Sequence, residues 1–541
     1  MSNSSSALVW VDNYRGAFYP VDLTAEPAPI YSKYNKQSVK SLVNICCSYI
    51  VKDSTMTLEA IQVVPQGLCI PLMIEALFNN KDRAIEVLLA HWPMESFSLR
   101  LLAPNLFVSL LPLYNDAYLS DIVRRGMSYT TTLVHRFIQC LKNRHPTKLK
   151  YLDMTGYPTA EIVLYYLATH CLLAFNENRQ QKLVEQYNDT VSYAASREDM
   201  DSDYPSLEAV ESLLPDGCLV VKLDAFVTSE STFCELCKAL KVSTFPGSKI
   251  RLCLQRLGAT QLGAAAVNLI LTQISGEHLT ALQLRYNSLT CDDLVTLIPA
   301  IKRLKNLTSL DLACNNINFS SNFTPTQQIS ELLNCLPKLI RLDLSNNRVK
   351  CLLRRILCDM SQSLKYLRLA ACGLRLNDLT YLSMSHHASG LQEVDLSSNG
   401  LSTATDILCS FFTAVKSSLM VLELEDCGLT NDQLQRFQTY ISKMEKLMYL
   451  NLAQNTLSFQ VLQDFTKYTA SNPSVKCLRI SYPQECYSDA EFSLDSLKVD
   501  TVNKLQEIIN DVCKLHPRDK PLQLIFVELT DVEMEQTQYE I

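Results

Sequence analysis

Leucines recur along the second half of the chain in a spacing that alternates between two periods. The unit reads Leu-x-x-Leu-x-Leu-x-x-Asn/Cys-x-Leu and is first complete at Leu279, Leu282, Leu284, Asn287 and Leu289. It returns at Leu307 to Ile317 with Asn315 in the ninth place, at Leu339 to Val349 with Asn347, and at Leu364 to Leu374 with Cys372. Three further units run from Leu391 to Leu401 (Asn399), Leu419 to Leu429 (Cys427) and Leu447 to Leu457 (Asn455). Successive starts lie 28, 32, 25, 27, 28 and 28 residues apart. The Leu-x-Leu centre has period two and predicts a short strand with its leucines on one face. Between strands the period becomes helical, as in Leu294, Leu297, Ile298, Ile301 and Leu304 behind a capping box at Thr290–Asp293. Leu434, Phe437, Ile441 and Met444 behave alike. The longest spacing contains Phe319 to Ile329, expected to bulge as a loop.

A strand with one apolar face cannot bury itself, so neighbouring units must stack to complete a core. The ninth-place amide then turns inward and must bond backbone groups of adjacent turns. Cys372 and Cys427 are small substitutes in the same slot. The pattern resembles a leucine-rich-repeat solenoid. That implies an α/β horseshoe, with a parallel sheet on the concave side, helices on the convex side and a helical cap at the N-terminus. Leu149 to Met154, Leu219 to Leu223 and Ile250 to Leu254 read as irregular earlier strands, and Val475 to Ile480 as a fading last one. The expected organisation is a flexible tail over 1–38, a helical domain over 39–148, the solenoid over 149–484 and a C-terminal cap and tail over 485–541. A polar segment at about 176–206 is expected to be a disordered insertion, and the repeats become regular from residue 279.

Composition narrows the function. Of 541 residues, 47% are hydrophobic and 19% charged, which excludes wholesale disorder. A net charge of −7 argues against a general nucleic-acid or membrane-surface binder. No stretch near 20 residues is apolar without charges, and the N-terminus has no secretory pattern, so the 20 cysteines are expected to be free thiols. Cys234 and Cys237 form a lone pair on a predicted helix, short of the four ligands a zinc site needs. His386 and His387 lie in a connector and are expected to face solvent. No nucleophile, base and oxyanion set is recognisable, so neither catalysis, nor a cofactor, nor a metal is expected.

Two short stretches in the helical N-terminal region carry the functional reading. Ser41-Leu42 followed by Cys46 and Ile50 fits Ser/Thr-Leu-x-x-x-Cys-x-x-x-apolar, and the steps of four place Leu42, Cys46 and Ile50 on one helical stripe. Val64-Pro65 followed by Leu68 and Leu72 forms a second box. The first resembles the elongin C-binding helix of ubiquitin-ligase substrate receptors, and the second resembles a cullin box of the cullin 2 type. Ser41 to Pro93 as a whole, with Trp92-Pro93, is similar to the N-terminal region of the PRAME family. So are Leu149 to Tyr157 and Tyr482 to Tyr487, and the similarity covers most of residues 40 to 490. The resemblance implies a non-catalytic substrate-recognition subunit of a cullin 2 RING E3 ubiquitin ligase, cytoplasmic with a nuclear option. It would bind elongin B/C, cullin 2 with its RING subunit, and an unidentified protein target. The alternative is a scaffold or inhibitor that represses signalling by stoichiometric binding of a kinase or transcription regulator.

The target would meet the residues that flank the inward leucines. In the fifth template place these are Gln283, Asp311, Asp343, Arg368, Asp395, Glu423 and Asn451. With Arg285, Arg341 and Glu425 they form a mostly acidic stripe interrupted by arginines. It is expected to receive a basic or mixed-charge segment, or else to be a polar column kept for solubility.

Overall fold

The computed structural model describes residues 41–98, 132–133, 135–136, 148–155, 219–244, 250–320, 323–488, 497–515, 522–527 and 529. The expected tail over 1–38 and the insertion at about 176–206 lie outside the described residues. The chain divides into two compact units, Met1–Leu284 and Arg285–Ile541.

In the first unit four helices come first: α1 (Leu42–Ile50), α2 (Ser54–Val63), α3 (Gln66–Phe78) and α4 (Asp82–Ala90). The chain then alternates β1 (Ser96–Ser98), β2 (Tyr151–Asp153), β3 (Leu219–Val227), α5 (Glu230–Thr244), β4 (Ile250–Ala259), α6 (Gly263–Gln273) and β5 (Ala281–Gln283). The five strands are parallel and adjacent in chain order. Strand β1 lies where only helix was expected. Trp92 explains it: fully buried, its Nε1 donates to Ser96 O at 3.1 Å and its ring stands edge-on to Phe97, 5.0 Å between centroids. Strands β3 and β4 are longer than the repeat template. Leu219-Val-Val-Lys-Leu-Asp-Ala-Phe-Val227 is apolar on both faces and almost wholly buried, as a strand covered on both sides requires. A register shift falls between Leu223 and Asp224, after which Asp224 pairs with Arg256 at 3.0 Å. Gly258 is fixed by close approach, because a Cβ there would lie 2.3 Å from the Phe226 ring.

The second unit is the regular α/β array. It runs α7 (Cys291–Lys302), β6 (Ser309–Asp311), α8 (Phe323–Asn334), β7 (Arg341–Asp343), α9 (Leu353–Leu357), β8 (Tyr366–Arg368) and α10 (Leu376–Met384). It continues through β9 (Glu393–Asp395), α11 (Thr405–Val415), β10 (Val421–Glu423), α12 (Asn431–Ile441), β11 (Tyr449–Asn451), α13 (Phe459–Ser471) and β12 (Cys477–Ser481). The alternation does not stop at residue 484, where the array was expected to end. Helix α14 (Val499–Leu515) leads to β13 (Gln523–Val527), which pairs with β12 in parallel over five residues. Strands β6 to β13 are parallel neighbours in chain order, and the register stacks Leu310, Leu342, Leu367, Val394, Leu422, Leu450, Leu478 and Leu524. This is a leucine-rich-repeat-type solenoid.

The ninth-place residues bind as the repeat demands. Asn399 Nδ2 donates to Leu369 O of the preceding turn at 2.9 Å and to Leu396 O and Ser397 O of its own, while its Oδ1 accepts from Leu374 N at 3.0 Å. Asn347 and Asn455 repeat the arrangement. Cys372 Sγ donates to Leu344 O at 3.2 Å and Cys427 Sγ to Leu396 O at 3.3 Å, so the thiols keep the donor half of the amide's role. The residue before each ladder position has φ between 51° and 57°: Tyr286, Cys314, Asn346, Ala371, Ser398, Asp426 and Gln454. None of the seven is glycine.

Two expectations are corrected. Phe319 to Ile329 does not bulge: Phe319 is buried, Thr326 Oγ1 donates to Phe319 O at 2.9 Å, and α8 begins at Phe323. Ile329, Leu332, Leu333 and Leu336 supply a helical stripe that pulls the segment onto the core. His387 is not at the surface. It is fully buried, accepts from Leu364 N at 3.2 Å through Nδ1, and is held to a pKa of about 4 by burial and by His386. No helix among the described residues is long and apolar enough to cross a membrane.

Candidate functional site

The first candidate surface lies on α1 to α3. Ser41 is the N-cap of α1, its Oγ accepting from Asn44 N at 3.2 Å, which accounts for a Ser/Thr at the head of the box. Within α1 only Cys47 is buried, turned toward the packed side where α1 meets α3. Leu42 is 76% exposed, and Val43, Ile45, Cys46 and Tyr49 are exposed beside it. Ile50 is half-buried. The stripe of Leu42, Cys46 and Ile50 is thus present, with Ile45 and Tyr49 widening it beyond the box. Asp53 caps α2, accepting from Thr55 N at 2.7 Å and Met56 N at 3.0 Å, bonds that hold its carboxyl below the usual range.

The second box straddles the α2–α3 junction. Pro65 and Leu68 are exposed and Val64 is half-buried. Val63, which the box pattern ignores, is 81% exposed. Leu72 differs from its expected role: it shares the stripe of Leu68, but at 1% exposure it lies in the core with Cys69, Met73 and Ala76, where the middle of α3 is covered.

The second candidate surface is the outer sheet face of the second unit, and here the expected solvent-facing acidic stripe is corrected. Its charges neutralise one another. Arg285 Nε donates to Asp311 Oδ2 at 2.6 Å and Arg285 Nη2 to Asp343 Oδ2 at 2.9 Å. Arg368 donates to Glu393 Oε1 at 2.8 Å, and Arg341 lies 3.5 Å from the same carboxylate while stacking over the Tyr366 ring at 4.2 Å. Asn451 Nδ2 donates to Glu423 at 2.7 Å and to Glu425 at 2.8 Å, and Arg479 approaches Glu425 at 3.7 Å. Asp311, Asp343, Arg341 and Glu393 are buried as a result. A second pattern recurs: the fifth-place carboxylate or amide accepts from the backbone N two residues on, at Asp311, Asp343, Asp395 and Asn451. Glu393 is a hub that fifth-place reasoning missed, because it stands in the third place of its unit, one pleat away.

Protonation follows from this packing. Burial raises Asp311 to about 6 against the pull of Arg285. Burial, then repulsion from Asp395, raises Glu423 to about 7. Burial likewise raises Asp395. Burial opposes the charge on Arg368, but Glu393, Asp395, Asp343 and Glu423 outweigh it and raise its pKa. Arg285, Arg368, Asp395, Glu423, Glu425 and Arg479 are half-buried, each keeping an edge toward solvent, and all but Arg285 lie toward the C-terminal half of the face.

Cys234 and Cys237 lie on α5, and no group of three or more metal-ligating side chains occurs among the described residues. Neither surface assembles a nucleophile with a base.

Residues 322–518 match the PRAME C-terminal domain. Over 529 residues the chain is 26% identical to leucine-rich repeat-containing protein 14 of Xenopus laevis, spanning 92% of this chain and 99% of that one. It is 23% identical over 461 residues to the Bos taurus protein of the same name, spanning 83% and 88%. It is 21% identical over 488 residues to preferentially expressed antigen in melanoma-like protein 7 of Mus musculus, spanning 86% and 91%. These relatives support a protein-interaction role built on repeats. The repeat register, the ladder and the match over residues 322–518 agree: this stretch is a leucine-rich-repeat array similar to the PRAME C-terminal domain, in a chain similar along most of its length to leucine-rich repeat-containing protein 14.

Proposed function

We propose that the chain is the non-catalytic substrate-recognition subunit of a cullin 2 RING ubiquitin ligase. The exposed apolar face of α1 carries this reading: a capped nine-residue helix leaves Leu42, Ile45, Cys46 and Tyr49 in water, which soluble surfaces avoid unless a partner covers them. Leu42 is the anchor for a pocket on elongin C, and the small Cys46 lets two backbones approach, as helix-in-groove docking requires. Val64, Pro65 and Leu68, with Val63, would meet the cullin. Arg368, Asp395, Glu423 and Glu425 would meet a target segment of mixed charge, and the chemistry of ubiquitin transfer would belong to the RING partner.

The test is separability. Leu42→Ser removes an exposed leucine worth about 1.5–3 kcal/mol when buried, so elongin B/C affinity falls at least tenfold while the melting temperature stays put. Pro65→Ala with Leu68→Ala keeps elongin B/C and loses cullin 2. Wild-type protein that retains neither partner overturns the receptor reading in favour of a stoichiometric scaffold.

A further inference from the structure

The loops that leave the strands of the second unit carry a charge pattern that neither the core nor the ladder requires. Of the 14 residues in the tenth and twelfth places of the seven units, 11 are Ser, Thr, Asn or Gly. The other three are Arg348, Lys350 and Arg375, all basic and in adjacent units. Elsewhere the twelfth place caps the helix that follows: Thr290 Oγ1 accepts from Asp293 N at 3.2 Å, and Thr430 Oγ1 from Gln433 N at 3.3 Å. Arg375 stands at the head of α10 with no oxygen to offer, and α9 likewise starts without a side-chain cap. Asp378 serves both helices instead. Its Oδ2 accepts from Cys351 N at 2.8 Å and Arg375 N at 2.9 Å, and its Oδ1 from Leu353 N at 3.1 Å. The two loops are thereby pinned side by side, and Arg354 follows in the first turn of α9.

Arg348, Arg354 and Arg375 are exposed and Lys350 is half-buried. Among the described residues no hydrogen bond or ion pair engages any of these four side chains. Between Ser345 and Leu376 the chain holds seven basic residues and one acidic one, Asp359, although the whole carries −7. Cations at the start of a helix oppose its dipole, whereas an anion there is favoured. The array thus gives up two caps for charges that destabilise the fold, as binding surfaces do. We propose that Arg348, Lys350, Arg354 and Arg375 bind a phosphorylated segment of a partner protein. One exposed ion pair contributes little, so binding needs a dense anion that several cations can share. A phosphoserine carries close to two charges and three acceptor oxygens, which suit arginine forks. A nucleic acid would call for cations along the rim, but the tenth and twelfth places on either side of the patch are uncharged. The surface lies apart from α1, so the inference stands without the ligase reading.

The test passes the full-length chain over beads bearing peptides with a central phosphoserine between degenerate flanks, beside the same pool with serine. We expect at least tenfold more protein on the phosphoserine beads. Arg348→Glu with Arg375→Glu should reduce retention to the serine level. Lys350→Thr with Arg375→Thr restores the residue type used by other units, so it should weaken retention while the melting temperature holds or rises. Lys446→Glu, a reversal at an exposed lysine elsewhere in the unit, should bind as the intact chain does. Equal retention on the two pools overturns the proposal, as does retention unmoved by both double variants. Tighter binding of a single-stranded RNA 20-mer than of the phosphoserine pool, through the same residues, overturns it in favour of a nucleic-acid surface.

Discussion

Arg285 reaches across the intervening strand to Asp343, donating through Nη2 at 2.9 Å while its Nε holds Asp311 at 2.6 Å. One guanidinium thus ties three successive repeats at the head of the second unit. Arg285→Ala leaves two buried carboxylates without their cation, a loss of about 3–5 kcal/mol by analogy with other broken buried pairs. Because Asp311 protonates near 6, the loss measured by urea denaturation should be smaller at pH 5 than at pH 8. Equal losses at both pH values would contradict the pairing.

The ladder predicts an ordered series. Asn399→Leu strands Leu369 O and the Leu374 N–H, while Leu396 O keeps Cys427 Sγ and Ser397 O keeps Ala371 N; the cost is about 1–3 kcal/mol for each group left buried without a partner. Asn399→Cys should cost far less, since Cys372 and Cys427 serve in that slot. A cysteine variant as unstable as the leucine variant would show that the slot does not tolerate a thiol at this turn.

Acidity should stabilise the array before it destabilises it. Glu423 faces Asp395, Glu393, Arg368, Tyr449 and Asn451, and its folded pKa of about 7 lies above the unfolded value near 4.5. The folded state therefore binds the extra proton, and stability rises on the order of 2 kcal/mol as pH falls from 8 toward 5. His387 works in the opposite sense. Its folded pKa of about 4 lies below the usual 6.5, so stability is lost as pH drops below 6.5. Glu423→Gln should flatten the limb above pH 6.5, and His387→Gln the acid limb if it folds. A melting temperature independent of pH from 8 to 6.5 in the intact chain would be inconsistent with the burial of Glu423.

Leu72 and Leu42 should part company. Leu72→Ala opens a cavity in the helical bundle, at about 2–5 kcal/mol, and lowers the melting temperature. Leu42→Ser should leave it unchanged. If Leu72→Ala melts like the intact chain yet loses a partner, the residue belongs to a docking surface after all.

The array was legible in the sequence because its determinants are local. Leu310 and Leu342 fall in register because each unit carries the same spacing, and Asn399 bonds only its own turn and the one before. The ion network was not legible, since Arg368 and Glu393 meet between adjacent strands from different template places. Their pairing depends on which pleat faces which neighbour. Strand β1 was missed because three residues have too little period to read, and it is the buried Trp92 that sets their position. On α1 the box named Leu42 and Cys46, but the wider apolar face formed by Ile45 and Tyr49 needed the packed side of the helix to be known.

The seven positive-φ residues that precede the ladder positions carry one more consequence. Each L-residue held left-handed costs roughly 1–2 kcal/mol, a penalty glycine escapes, yet the chain spells Tyr, Cys, Asn, Ala, Ser, Asp and Gln at these seats. Strands stack about 4.8 Å apart, so the seats form a row on the order of 29 Å long along one rim of the second unit. Each seat is fixed in conformation by the ladder residue that follows it, while its identity is left open by the core. The rim works as a ruler with interchangeable marks, on which a relative could rewrite what it displays one tooth at a time without retooling the leucines behind it.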